Sequence, residues 1–298
     1  MSTTPLQFHV PADASRLPVT LPILQEKKRL GEPLVMVTAY DFPSARAAES
    51  AGVDLVLVGD SGAMTVLGYD STIPVDVDEM LVLARAVRRG LRTPFLVGDL
   101  PFGSYEASDV QAVETAMRFV KQAGCDAVKL ERGNETSVAR ARAIVQAGIP
   151  VMGHVGLTPQ TSTALGGYRA QGRSTSAATR IAQEALALQE AGCFSLVFEA
   201  IPAAVAAALM PRLDVPVIGI GAGPATDGQV LVFHDLLGIR EGRGARFVQR
   251  YADLQAEMNA GVAAYAADVR GRRYPQSEHT YSIDEAELAR FRHDLASL

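Results

Sequence analysis

The sequence predicts an α/β protein built on a (β/α)8 barrel of the TIM type, and three observations predict it. First, a weak internal repeat recurs four times, as AESAGVDLVLVGD (48–60), KQAGCDAVKLE (121–131), VQAGIPVMGH (145–154) and LQEAGCFSLVFE (188–199). In each copy an Ala-rich helical stretch ends in Ala-Gly and is followed by a short apolar run and a polar residue. Each Gly suits the position just past a helix, where a positive φ costs little without a Cβ. Second, four further runs of the same kind, PLVMVTAYD (33–41), TPFLVGDL (93–100), VPVIGIGAG (215–223) and QVLVFHD (229–235), bring the candidate strands to eight. Third, these runs do not alternate apolar with polar, which marks parallel strands covered on both faces. Eight such units in about 220 residues match a closed barrel better than the alternative, a doubly wound sheet.

The elements follow in order. Residues 1–22, with Pro5, Pro11, Pro18 and Pro22, read as an N-terminal arm. ILQEKKRLGE (23–32) reads as a helix closing the bottom of the barrel. The eight strand–helix units then make a single catalytic domain over 23–270. Its last run is ambiguous, because QVLVFHDLLG also suits the start of a helix. ADLQAEMNAGVAAYAADVRG (252–271) reads as a long helix, and residues 271–298 as a C-terminal extension with an amphipathic helix over 283–298. The charge runs EKKR (26–29) and RGRR (270–273) read as solvated faces.

Composition narrows the function classes. The 298 residues are 48% hydrophobic and 20% charged, with a formal net charge of -5, so a basic footprint for nucleic acid is missing. No apolar run approaches the roughly 18 residues of a membrane span, and the first residues lack the pattern of a secretory signal. Two cysteines, Cys125 and Cys193, make no disulfide framework and point to a reducing cytoplasm. Both read as small core residues.

In such a barrel the chemistry sits at the C-terminal ends of the strands. The polar residues closing the apolar runs are therefore the candidates: Asp41, Asp60, Asp99, Glu131, His154 and Glu199. Any one of them could merely cap the next helix, and Asp60 and Asp99 suit that role. Several carboxylates converging on one rim are different, because their repulsion calls for a cation. Oxygen ligands without the His/Cys spacing of zinc point to a hard ion such as Mg2+. Lys129 and Glu131 fall on the same face of their strand. Lys129 is open to three readings: an ion pair filling the barrel, a cation for a substrate carboxylate, or a Schiff-base nucleophile. His154 reads as a metal ligand, a proton carrier or a satisfied rim histidine. The glycines of IGIGAG suit either a phosphate grip or tight packing.

The blocks VTAYD (37–41), VGDSGAMTVLGYDSTIPV (58–75), GDLPFGSY (98–105), AVKLERG (127–133), GHVGLTPQ (153–160), GGYRAQGR (166–173), FEAIP (198–202) and VIGIGAGPATDGQVLVFHDLLG (217–238) occur in this order. Together they resemble the ketopantoate hydroxymethyltransferase family from about Pro22 to Tyr281. That resemblance implies a barrel of the isocitrate lyase and phosphoenolpyruvate mutase superfamily. It implies transfer of a hydroxymethyl group from 5,10-methylenetetrahydrofolate to 3-methyl-2-oxobutanoate through a Mg2+-stabilised enolate, giving 2-dehydropantoate in pantothenate biosynthesis. A Mg2+-dependent 2-oxo acid lyase or mutase of the wider superfamily is the alternative. The resemblance assigns Asp60, Asp99 and Glu131 to the metal, and Asp60, Ser61, Asp99 and Lys129 to the keto acid. Glu199 becomes the catalytic proton acceptor, with His154 a neighbour of the site. It also implies small-molecule partners only and a homo-oligomer, commonly a decamer. Two positions depart from the pattern: Ala63 follows Gly62 where a glycine is usual before Met64, and Arg132 stands where many members have Gly.

Overall fold

The computed structural model describes residues 16–161, 169–240, 242 and 244–298. Most of the expected arm, and residues 166–168 of the GGYRAQGR block, lie outside them. The described chain falls into two compact units, one ending at Tyr251 and the other running Ala252–Leu298.

In the first unit α1 (Leu21–Leu30) leads into β1 (Leu34–Thr38), α2 (Phe42–Ala51) and β2 (Leu55–Val58). The short α3 (Gly62–Thr65) and α4 (Val77–Gly90) precede β3 (Phe95–Asp99). Then come α5 (Asp109–Ala123), β4 (Ala127–Lys129), α6 (Glu135–Gln146) and β5 (Val151–Gly156). The chain continues through α7 (Thr175–Glu190), β6 (Ser195–Glu199), α8 (Ala203–Leu209), β7 (Val217–Ile220), β8 (Gly228–Leu231) and α9 (Phe233–Leu237). The strands pair in parallel in chain order, and β8 returns to β1, closing the barrel. All eight expected runs contain a strand. The ambiguous last run supplies both a strand, β8, and the start of α9. The Ala-Gly repeats end their helices as expected, with positive φ at Gly52, Gly124, Gly148 and Gly192.

Strand side chains alternate, and two apolar layers result. Met36, Leu55, Leu57, Phe95, Val97, Ala127, Met152, Val197, Ile218 and Val230 fill the barrel interior. Val37, Val56, Val58, Leu96, Val128, Val155, Leu196 and Phe198 face outward into a shell of helix residues that includes Met80, Phe119 and Leu188. The IGIGAG glycines are explained by this packing: a Cβ on Gly219 would lie 2.6 Å from Thr226 Oγ1.

At the N-terminal ends of the strands, carboxylates serve the fold. Asp54, Asp126 and Asp227 accept the backbone N–H groups of Val35, Leu96 and Val217. Lys27 and Lys28 of α1 reach Asp54 and Asp227, each at 2.8 Å. The EKKR run is therefore not simply a solvated face, because two of its lysines fasten α1 across the barrel bottom. Cys125 and Cys193 are buried free thiols, both pushed up to about 12 by burial.

The second unit holds α10 (Leu254–Arg270) and α11 (Glu285–Leu295). The long helix expected over 252–271 is α10, and it lies in this unit. Among the described residues no helix is long and apolar enough to cross a membrane.

Glu49 on α2 latches the connection before β3. Its carboxylate accepts the N–H groups of Arg92 (2.7 Å) and Thr93 (3.1 Å) and the Thr93 hydroxyl (3.0 Å). Burial alone would raise its pKa, but these donors outweigh burial and hold it below the ordinary value of 4.5. A lowered carboxylate pKa stabilises the fold above the unfolded value, and that stability is lost as pH falls through the folded one. Glu49→Ala is expected to lower unfolding free energy by roughly 1–3 kcal/mol near neutral pH. In urea titrations the difference from wild type should shrink as the pH drops below 4.5.

Candidate active site

The alternation that builds the inner core also builds the site. Along the inward positions Phe95 and Val97 are followed by Asp99, Ala127 by Lys129 and Glu131, Met152 by His154, and Val197 by Glu199. The apolar layer therefore ends in an ionic one at the C-terminal rim, where active sites of this fold are found. Asp60 breaks the alternation, since Leu55 and Leu57 point inward and Gly59 would be next. A turn after β2 brings it round, and its backbone N–H donates to Asp99 Oδ2 at 3.1 Å.

Within this rim the Lys129 ammonium donates to Asp99 Oδ1 at 2.7 Å and lies 3.6 Å from Glu131 Oε1. His154 spans two carboxylates, with Nδ1 3.5 Å from Glu131 Oε1 and Nε2 3.3 Å from Glu199 Oε2. Neither ring nitrogen is in hydrogen-bonding geometry, so the contact is one of charge. Asp60, Asp99, Lys129, Glu131 and His154 are buried, whereas the Glu199 side chain keeps 16% of its surface exposed. Together with Ser61 they line a cavity of about 100 Å³. A larger cleft of about 820 Å³, between α1 and the β7–β8 connection, contains none of these groups.

The charges are unevenly compensated. Burial would lower the pKa of Lys129, but Asp99, Glu131 and Asp60 raise it, so the ammonium stays protonated. Burial likewise opposes protonation of His154, and the flanking Glu131 and Glu199 raise it to about 9. Glu131 is driven below the ordinary range, chiefly by Lys129 acting against burial. Asp60 and Asp99 are pushed up, first by burial and then by the neighbouring carboxylates, against the pull of Lys129. The side chain of Asp60 thus has an amide, from Gln160, as its partner, whereas Asp99 is paired with the Lys129 ammonium.

Asp41 does cap a helix: its Oδ1 accepts the Ser44 N–H at 2.7 Å at the start of α2. Asp60 and Asp99 cap nothing. Ser61 accompanies Asp60 at the mouth, its hydroxyl 2.8 Å from the Tyr40 hydroxyl. His154 is not the satisfied histidine that its position allowed, because both nitrogens lack hydrogen bonds. The two departures sit beside the site. Ala63 is buried in α3, just after Asp60 and Ser61, while Arg132 holds a positive φ of 73°, which glycine adopts more cheaply.

Two residues with no predicted role prove central. Gln160, 3% exposed, sits in a 3-10 turn (Pro159–Thr161) after β5. Its backbone N–H donates to Glu131 Oε2 at 3.0 Å and its amide to Asp60 Oδ2 at 3.1 Å. Tyr105 donates to Gln160 Oε1 at 2.8 Å. Gln160 closes the block GHVGLTPQ, but only the folded loop shows what it reaches.

Among the described residues no three His, Cys, Asp or Glu side chains are set to chelate an ion by themselves. The Lys129 ammonium stands between Asp99 and Glu131, and Glu131 is already taken up by Gln160, Lys129 and His154. Asp60 and Asp99 offer hard oxygens, those of Asp99 shared with the Lys129 ammonium and the Asp60 N–H. Mg2+ is commonly held by one or two carboxylates, with water and substrate completing its shell, so this pair fits it.

A parallel barrel with a buried ionic rim of carboxylates, ammonium and imidazolium around a small cavity defines the class: a barrel enzyme with its site at the C-terminal mouth. Residues 18–277 match the model of the ketopantoate hydroxymethyltransferase family, and the chain belongs to that family. It is 52% identical over 268 residues to the 3-methyl-2-oxobutanoate hydroxymethyltransferase of Moorella thermoacetica, covering 90% of this chain and 99% of the relative. It is 50% identical over 286 residues to the mitochondrial 3-methyl-2-oxobutanoate hydroxymethyltransferase 1 of Arabidopsis thaliana, covering 94% and 82%. Its activity is ketopantoate hydroxymethyltransferase activity, in pantothenate biosynthesis. Among solved structures, phosphonopyruvate hydrolase with oxalate and Mg2+ aligns with a TM-score of 0.58 at 13% identity, covering 94% of this chain and 97% of that one. A 2,3-dimethylmalate lyase aligns at 0.57 and 18% identity, covering 88% and 92%. At such identities these two share the fold.

Removing Lys129 would leave buried carboxylates without their cation. Lys129→Ala is therefore expected to lose roughly 3–5 kcal/mol of stability, as measured by urea unfolding without metal. A loss below about 1 kcal/mol would mean that the rim does not depend on this ammonium.

Proposed function

We propose that this rim enolises 3-methyl-2-oxobutanoate with Mg2+ held by Asp60 and Asp99, and that Glu199 is the base that takes the C3 proton. The one-carbon unit comes from 5,10-methylenetetrahydrofolate and the product is 2-dehydropantoate. The observation that carries the reading is the crowding of carboxylates at one mouth: Asp60, Asp99, Glu131 and Glu199 line a single cavity with Lys129 and His154 as the cations beside them. Glu131, held by the Gln160 N–H and close to Lys129 and His154, would stand behind the two aspartates that hold the ion. When bound, Mg2+ supplies Lewis-acid stabilisation of negative charge developing on the keto oxygen.

The chain's own groups do the rest. Lys129 stays an ammonium and contributes positive charge beside the substrate carboxylate. Its bond to Asp99 and its protonated state disfavour a Schiff base. Ser61 at the mouth donates to the keto acid. Glu199 belongs to β6, across the barrel from β2, and its partial exposure gives it access to a proton at the far end of the substrate. The His154 imidazolium at 3.3 Å orients the Glu199 carboxylate.

The resemblance adds a homo-oligomer, commonly a decamer, and buried reduced thiols suit a cytoplasmic setting. The reaction is tested by 2-dehydropantoate formation from methylenetetrahydrofolate with and without Mg2+. Glu199→Gln keeps the shape but cannot accept a proton. Its exchange of the substrate C3 proton with solvent, followed by NMR in deuterated buffer, is expected to fall by roughly 10²-fold or more, with keto-acid binding nearly unchanged. Exchange near the wild-type rate would remove Glu199 from the reaction.

A further inference from the structure

We infer that Gln160, locked by Tyr105, is the positioning residue that aims the Asp60 carboxylate at the metal and ties it to Glu131. The inference rests on the reading of Asp60 as a metal ligand. A side-chain amide can present either end to a neighbour, and here the neighbours decide which. The Leu100 carbonyl accepts from the Gln160 amide nitrogen at 2.9 Å, and a carbonyl only accepts. The nitrogen therefore faces Leu100 and, with its second hydrogen, Asp60 Oδ2. The amide oxygen points the other way, to the Tyr105 hydroxyl. That hydroxyl accepts the Glu131 N–H at 3.3 Å, which leaves its own proton for Gln160.

The circuit is closed and buried. It links the ends of β2, β3 and β4 through one side chain and that residue's own backbone N–H, which holds Glu131 Oε2. With Oδ2 of Asp60 engaged by Gln160, rotation of the carboxylate would break a buried hydrogen bond. The same residue draws Asp60 and Glu131 to the same side of the cavity. Groups behind a metal's ligands commonly set affinity by 10–100-fold when replaced, because the ligand loses its orientation.

The test is calorimetric titration with Mg2+ of the full chain and four variants. Gln160→Met keeps the length and the backbone N–H but loses every side-chain hydrogen bond. It is expected to weaken Mg2+ binding by roughly 10–100-fold, and turnover should return toward wild type at saturating Mg2+. A mere packing defect would not recover in that way. Tyr105→Phe keeps the ring and frees the amide, and is expected to weaken binding in the same direction by a few-fold. It carries the test alone if Gln160→Met does not fold. Gln160→Glu presents a carboxyl oxygen to the Leu100 carbonyl and Asp60, and should not restore wild-type affinity. Asp60→Asn separates the two claims. If it abolishes binding while Gln160→Met and Tyr105→Phe bind as wild type, the positioning role is overturned and the metal reading stands. If Asp60→Asn binds as wild type, the metal reading itself fails and takes this inference with it.

Discussion

Several carboxylates buried at one barrel mouth repel one another and lack water to screen them, so the fold holds only if cations sit among them. Lys129 is the cation on which this arrangement turns. Its ammonium bonds Asp99 and reaches Glu131 from a layer just above the apolar filling of the barrel. His154 adds a second positive charge between Glu131 and Glu199. Four carboxylates thus face two cations, and this imbalance is what we propose a divalent ion relieves.

The two ends of the barrel use the same residue types for opposite purposes. At the bottom Asp54 and Asp227 each have backbone donors and a lysine from α1, so their charge is spent on holding strands and helix together. At the top Asp99 likewise has a backbone donor and a lysine, but there the carboxylates face a cavity. Local geometry beside the site is also unusual. The residues following Glu131 and Glu199, Arg132 and Ala200, both have positive φ, where a side chain is strained. The chain turns sharply after presenting each of these carboxylates, and the surrounding packing holds those turns.

The barrel was legible because its signals are local: each apolar run announces a strand, and each Ala-Gly a helix end. Asp99, Lys129, Glu131 and Glu199 were legible for a related reason, since inward positions recur every second residue. Asp60 does not follow that rule, and its arrival depends on a turn that periodicity does not describe. Gln160 and Tyr105 were silent because their partners, Asp60 and Glu131, lie 100 and 26 residues away. The roles of Lys27 and Lys28 were hidden likewise, for a run of charges does not say which distant aspartates it meets. Helical periodicity continues past Tyr251 and does not show which compact unit a helix belongs to.

In the proposed arrangement Asp60 and Asp99 would ligate the metal directly while Glu131 stands behind them. A crystal structure of the chain with Mg2+ and 3-methyl-2-oxobutanoate tests this most directly. The expected result is one ion at about 2.0–2.1 Å from an oxygen of Asp60 and of Asp99, with water between it and Glu131 and the keto acid completing the shell. An ion held by Glu131 in place of either aspartate, or bound away from this rim, would contradict it.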